Sequence, residues 1–313
     1  MKHFISITDI TKEEFDEILT LAASLKKMQK NGVPHQYLKG KTLGMIFAKS
    51  STRTRVSFET GMFQLGGHAL FLSSHDIQLG RGESIYDTAN VLSGMIDGIM
   101  IRTFSQDDVY DLAKYGSIPV INALTDLEHP CQAMADMQTV MEEFGHLEGL
   151  KMCYVGDGNN MAHSLAHACA MAGMDFYVAT PEKYKCDPEQ IEKAKEIAKK
   201  QNCKIVETLD PTEAMKNADV VYTDTWVSMG QEEQKAIKVK EFEGYRINEK
   251  LYSLTNENSI FLHCLPAYRG YEVTAEVIDG SHSRIFREAE NRLHAQKAIM
   301  TMLMSNQNQK GKK

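Results

Sequence analysis

The chain has 313 residues, more than one domain usually spans, and its 42% hydrophobic content can give each of two domains a buried core. With 35 basic against 42 acidic residues the net charge is −7, and the one Lys-dense tract is the short 310–313 tail, so nucleic acid is not expected as the main partner. No apolar run approaches the roughly 20 residues of a bilayer span, the amino terminus lacks a basic-then-apolar leader, and six scattered cysteines form no CxxC pair, which predicts a cytoplasmic protein without membrane contact, disulfide framework or metal.

In chain order, the first predicted element is a helix over 11–30. Thr11 and Glu14 make a capping box, Phe15, Ile18, Leu19, Ala22 and Leu25 recur at helical spacing, and Asn31-Gly32-Val33-Pro34 stops the run. Short apolar runs then alternate with helical patterns: strands at 42–47, 69–72, 98–101 and 120–123, helices at 54–65 and 85–95, and a long helix over 131–144. The rhythm restarts with strands at 152–155, 176–179, 205–207, 220–223 and 260–262. A last helix spans about 288–304, ahead of a polar tail, 305–313, expected to fray. This alternation predicts an α/β fold of two domains, each a parallel sheet flanked by helices, with a C-terminal helix. The rhythm puts the domains at 1–147 and 148–313, with the last helix able to pack back on the first.

Ligands of open parallel sheets bind beyond the carboxyl ends of the strands, so the loops there carry the candidate chemistry. Ser50-Ser51-Thr52-Arg53-Thr54-Arg55 leads from a strand into a helix amino terminus, where backbone N–H groups, the helix dipole and two Arg forks suit a phosphate; the plain alternative is an N-cap with two exposed arginines. The GxxxxGK[ST] pattern is missing, which argues against a nucleoside triphosphate. Glu128-His129-Pro130-Cys131-Gln132 opens the next helix with His129 and Gln132 about one turn apart, able to face one ligand or simply to cap and pack. Asp224 closes a later strand, where it could hold an ammonium group or cap a helix; beyond it come the only tryptophan, Trp226, and Ser228-Met229-Gly230, which reads as a turn-forming lid. His263-Cys264-Leu265-Pro266 follows the strand at 260–262. Strand neighbours point to opposite faces, so His263 and Cys264 make a poor catalytic dyad, and Cys264 alone reads as a small buried hydrophobe. Gly156-Asp157-Gly158-Asn159-Asn160 imitates a dinucleotide loop, but Met161 stands where its third glycine belongs.

Taken together, these motifs resemble those of the aspartate and ornithine carbamoyltransferases, and within that family the ornithine branch: SSTRTR (50–55), EHPCQ (128–132), DTWVSMGQE (224–232) and HCLP (263–266). The resemblance runs from the first helix to Ala289-Glu290-Asn291-Arg292. It implies a carbamoyl phosphate-binding domain followed by an ornithine-binding domain. The implied reaction moves the carbamoyl group of carbamoyl phosphate to the side-chain amine of L-ornithine, giving L-citrulline and phosphate, in arginine biosynthesis or citrulline breakdown. Position by position, it implies that Ser51, Thr52, Arg53 and Thr54 hold the phosphate, and that Thr54, Arg102 and His129 polarise the carbamoyl oxygen. Gln132 would bind the carbamoyl amide, the backbone carbonyls of Cys264 and Leu265 would accept from the carbamoyl nitrogen, and Arg292 would lie near the same ligand. Gln78 would reach the phosphate of a neighbouring subunit in a homotrimer with shared active sites. Ornithine would meet Asn160, Asp224, Ser228 and Met229, with Asp224 and Cys264 orienting the amine and sharing its proton. No metal or organic cofactor is implied. A putrescine acceptor is disfavoured because a diamine offers the 228–230 loop no α-carboxylate or α-amine, and an acylated ornithine because the stretch after Pro266 is short. A non-catalytic relative is disfavoured because every matched position keeps its functional side chain.

Overall fold

The computed structural model describes residues 1–227, 233 and 235–305. It divides into two compact units: Met1–Gln138 together with the chain from Glu290 onward, and Thr139–Ala289. The 228–230 lid and the tail from 306 lie outside the described residues. The elements run α1 (Lys12–Lys30), β1 (Thr42–Phe47), α2 (Thr52–Gln64), β2 (His68–Ser73), α3 (Ile85–Ser93), β3 (Gly98–Arg102), α4 (Gln106–Tyr115), β4 (Val120–Leu124) and α5 (Pro130–Phe144). They continue as β5 (Lys151–Val155), α6 (Asn160–Ala172), β6 (Asp175–Ala179), α7 (Pro188–Gln201), β7 (Ile205–Thr208), α8 (Pro211–Met215), β8 (Val220–Tyr222), α9 (Lys235–Glu241), α10 (Glu249–Tyr252), β9 (Ile260–Leu262), α11 (Ala275–Ile278) and α12 (Ile285–Met304).

The first unit's sheet has the order β2-β1-β3-β4 and the second's the order β7-β6-β5-β8-β9, with parallel pairing throughout. β3 and β4 are buried along their whole length and β1 along all but its first residue. This is why those segments read as continuous apolar runs rather than alternations. Ile46, Ile99, Ile101, Val109 and Leu112 centre one core, and Val155, Val221, Phe261 and Ile278 centre the other. The capping box predicted at Thr11 forms: its hydroxyl accepts the Glu14 amide at 3.2 Å while Glu14 accepts the Thr11 amide at 3.1 Å. α2 starts at Thr52 rather than 54, because Ser51 is the residue that caps it. The short helices α8, α10 and α11 escape sequence reading because four or five residues carry no measurable period. Among the described residues no helix is long and apolar enough to cross a membrane.

Candidate active site

In the first sheet, β1 leads to β2 on one side while β3 leads to β4 on the other, so the chain diverges between β1 and β3. Such a switch point opens a crevice at the carboxyl ends of the two strands, the usual ligand position in sheets of this kind. The strands end level, Phe47 opposite Arg102. The pairing of β3 with β4 shifts register between Ile101 and Arg102, an irregularity of the sort that re-aims a side chain at a strand end.

The side chains named from the sequence gather at this point. Ser51 accepts the Thr54 amide at 3.2 Å and donates its hydroxyl to Thr54 Oγ1 at 3.1 Å. Thr54 Oγ1 also accepts from Arg292 Nη2 at 3.0 Å, a contact between residues 238 positions apart that α12 supplies. Arg102, His129 and Arg292 are buried, Arg53 is half-buried and Thr52 is exposed at the helix end. The His129 carbonyl accepts the amides of Gln132 and Ala133, making His129 the backbone cap of α5. Burial first, then the fields of Arg292, Arg102 and Arg53, hold the His129 imidazole well below the usual histidine range. The ring is therefore neutral near pH 7 and has one N–H to donate. Three guanidiniums converging on a neutral ring, beside the amino termini of α2 and α5, make a site whose field calls for an anion. Gln132 donates its carboxamide to Asp136 at 2.8 Å, which fixes its orientation. Gln78 stands apart, exposed in a 3-10 turn after β2.

The second unit repeats the logic at the divergence between β5 and β8. Tyr154 on β5 is level with Tyr222 on β8, which is level with Leu262 on β9, so the loops after all three strands share one end of the sheet. Gly158, the second glycine of the loop after β5, donates its amide to the Tyr184 carbonyl at 2.8 Å, and a Cβ there would lie 2.4 Å from the Cys186 nitrogen. The motif that imitates a dinucleotide loop is thus glycine-rich for a close backbone approach within the protein. Asn159 caps α6 with its Oδ1 and donates from Nδ2 to Asp224 at 2.9 Å. Cys264 donates its thiol to the other Asp224 oxygen at 3.1 Å, and the Thr225 amide reaches that same oxygen at 2.7 Å. Asp224 is buried, and Asn160, Cys264 and Leu265 are half-buried. Ser228 and Met229 lie outside the described residues.

His263 and Cys264 lie just beyond the end of β9, and His263 bonds to partners other than Cys264. Its Nδ1 accepts the Leu265 amide at 2.9 Å and its Nε2 lies 3.2 Å from Glu272, so the ring proton sits on Nε2 and both nitrogens are engaged. The bond to its amide supports Leu265 at φ +58°, an uncommon conformation for a branched side chain. Asp224, His263 and Cys264 offer ligand atoms within 4.8 Å of one another. With both imidazole nitrogens committed, this trio does not suit a metal ion without breaking the turn.

Sequence reasoning singled out Asn160 and missed Asn159, the residue that holds Asp224. The missed signal was an Asn one position before an apolar helical run, a standard helix cap. It also missed Asp136 and gave Glu272 no role, because nothing in the local pattern marks either as the partner of Gln132 or His263.

Two family models match the chain. The aspartate/ornithine carbamoyltransferase carbamoyl-P binding domain covers residues 2–142, and the aspartate/ornithine carbamoyltransferase Asp/Orn binding domain covers 148–303. An ornithine carbamoyltransferase of Oceanobacillus iheyensis is 58% identical over 304 residues, covering 97% of this chain and 94% of that protein. One from Caldicellulosiruptor saccharolyticus is 55% identical over 303 residues, covering 97% and 98%. Among solved structures, the ornithine carbamoyltransferase from Pyrococcus furiosus superposes with a TM-score of 0.94 at 50% identity, covering 97% of each chain.

Proposed function

We infer the part each residue plays from the premise that this chain belongs to the aspartate/ornithine carbamoyltransferase family. It transfers the carbamoyl group of carbamoyl phosphate to the side-chain amine of L-ornithine, giving L-citrulline and phosphate. The observation that carries the assignment of the donor site is the bond from Arg292 Nη2 to Thr54 Oγ1 at the amino terminus of α2, after a strand that ends level with Arg102.

In this reading Ser51, Thr52, Arg53 and Thr54 hold the phosphate at the amino terminus of α2, with Arg292 braced on Thr54. Gln132 takes the carbamoyl amide, and the Cys264 and Leu265 carbonyls take its nitrogen. The nitrogen of ornithine's side chain attacks the carbonyl carbon, the carbon–oxygen bond to phosphate breaks, and phosphate leaves with the bonding pair. Negative charge that builds on the carbonyl oxygen is met by Arg102, the Thr54 hydroxyl and the His129 N–H. The nitrogen sheds two protons in all: the ammonium, with a pKa of about 10.4, gives up one to become a nucleophile, and the second leaves as the carbon–nitrogen bond forms and goes to the departing phosphate. Asp224 and Cys264 serve the first of these losses. The Cys264 thiol donates to Asp224, the Asp224 carboxylate is the group that attracts the ammonium, and the amine's first proton passes to this pair. Asn160, Ser228 and Met229 complete the ornithine contacts.

We further propose a homotrimer in which Gln78 reaches the phosphate of the neighbouring subunit. Support comes from β2, the edge strand of its sheet, which leaves Leu70 and Phe71 exposed, and from α2, which packs with it and exposes Val56 and Phe63. The reading of a cytoplasmic protein is supported by its six free thiols.

The test offers carbamoyl phosphate with ornithine, putrescine or N-acetylornithine and measures the carbamoylated product. Turnover is expected on ornithine alone and lost in Asp224→Asn. Activity on either other amine would overturn the acceptor assignment and leave the phosphate site standing.

A further inference from the structure

Helix α9 has two faces of different character. Ile237 is 61% exposed, and Ala236 and Lys240 also face solvent, whereas Lys238 is 3% exposed. The residues that anchor the helix are Lys238, Glu241 and Phe242, whose spacings of three and four put them on one face. Phe242 continues the helical pattern, its amide bonding the Lys238 carbonyl at 2.9 Å.

Each anchor grips a different loop at the carboxyl end of the second sheet. Lys238 Nζ lies 2.6 Å from Asp157 Oδ2, in the loop after β5 that also carries Asn159 and Asn160. Glu241 accepts the Tyr184 hydroxyl, in the loop after β6. Phe242 packs on Tyr184 with ring centroids 4.9 Å apart and stacks on Trp226 at 5.3 Å, two residues beyond Asp224 in the loop after β8. Lys238 also lies 5.1 Å from the Tyr184 ring. One short helix therefore ties together the loops that bear Asn159, Asn160 and Asp224.

The ion pair at the centre of this arrangement has an electrostatic cost. Both side chains are withdrawn from water, and a buried pair is often no more stabilising than two apolar residues of equal volume. Asp157 is also close enough to Asp224 for the two negative charges to feel each other; burial, and to a smaller degree Asp224, raises the Asp157 carboxyl while Lys238 lowers it. With Lys238 in place, Asp157 is balanced and Asp224 remains the carboxylate to which a substrate ammonium is drawn. Without it, a second buried carboxylate would stand at the same loop cluster with no cation, competing for the ammonium and free to swing the Asn159–Asn160 turn.

We propose that Lys238 is a positioning residue for the amino-acid acceptor: by pairing with Asp157 it locks the loop after β5 and keeps that buried carboxylate from competing with Asp224 for the acceptor's ammonium. The proposal rests on the ornithine reading given above and deepens it, because Lys238 touches neither substrate in that reading.

The test is a steady-state double-mutant cycle on the full-length enzyme, with both Michaelis constants measured for the native protein, Lys238→Met, Asp157→Asn, Lys238→Met/Asp157→Asn and Lys238→Arg. Removing one member of a buried charge pair harms more than removing both. Lys238→Met should raise the KM for ornithine about tenfold or more while moving that for carbamoyl phosphate less than about twofold. The double variant should recover most of that loss, and Lys238→Arg should stay within about threefold of native. An unchanged ornithine KM in Lys238→Met, an equal rise for both substrates, or additive losses in the double variant would overturn it. If Lys238→Met fails to fold, the decision falls to Lys238→Arg and the double variant: native-like ornithine KM in both supports the proposal, and a raised KM in the double variant equal to that of Asp157→Asn alone refutes it. A native enzyme that made no citrulline would instead remove the ornithine reading itself.

Discussion

Burial and the fields of Arg292, Arg102 and Arg53 push the His129 imidazole in one direction, away from protonation. In the proposed reaction the ring would serve the carbonyl oxygen as a neutral donor, and acidification to pH 5.5 should leave it uncharged, which a ring-nitrogen NMR titration would read directly. The sign of the stability effect follows from the same shift. The unfolded chain takes up a proton near the ordinary histidine pKa of about 6.5 while the folded chain resists it, so this group withdraws stability as pH falls through that value. His129→Asn should slow turnover by about 100-fold, the scale of losing one donor to a developing oxyanion, and should flatten part of the acid loss of stability. A His129→Asn enzyme with native turnover would remove the residue from the mechanism. This neutrality was not legible in the sequence, because it arises from burial first and then from arginines at 292, 102 and 53, all of which only the fold brings about.

Among the elements, the loop after β5 is the clearest case of a motif whose residues were visible and whose purpose was not. Its two glycines and its Asn pair stand out in the sequence, and the missing third glycine argues against a dinucleotide. What Gly158 is for depends on Tyr184 to Cys186, nearly 30 positions downstream. A Cβ at Gly158 would meet backbone atoms, which cannot move aside like a side-chain tip, so Gly158→Ala should cost about 2 kcal/mol or more, read as a lowered urea midpoint at constant slope. Because the same loop carries Asn159, ornithine turnover should fall with it even where the variant remains folded. By contrast α1, β1, β3 and α5 were legible in outline, since a capping box, buried apolar runs and a Pro at the first helical turn are local signals.

For the whole molecule, the α/β plan of two parallel sheets was legible from rhythm alone, and the switch points explain why the candidate residues cluster where they do: β1 and β3 bracket one set, β5 and β8 the other. The proposed trimer makes a separate prediction. Phe63→Glu with Leu70→Glu places charges on the exposed apolar surface of α2 and β2, and light scattering should then show a monomer with little activity, because no neighbour supplies Gln78. A fully active monomer would refute shared sites. The division of the chain carries one more consequence, in the order of synthesis. The unit Thr139–Ala289 is a continuous stretch and is complete once residue 289 has been made, whereas the first unit is interrupted and regains its last part only from Glu290. Arg292, the guanidinium that braces Thr54, therefore emerges from the ribosome after every other residue of both half-sites. The nascent chain thus carries every residue proposed for the acceptor before the proposed donor site gains Arg292, and a message cut short before that arginine yields a protein lacking the brace on Thr54.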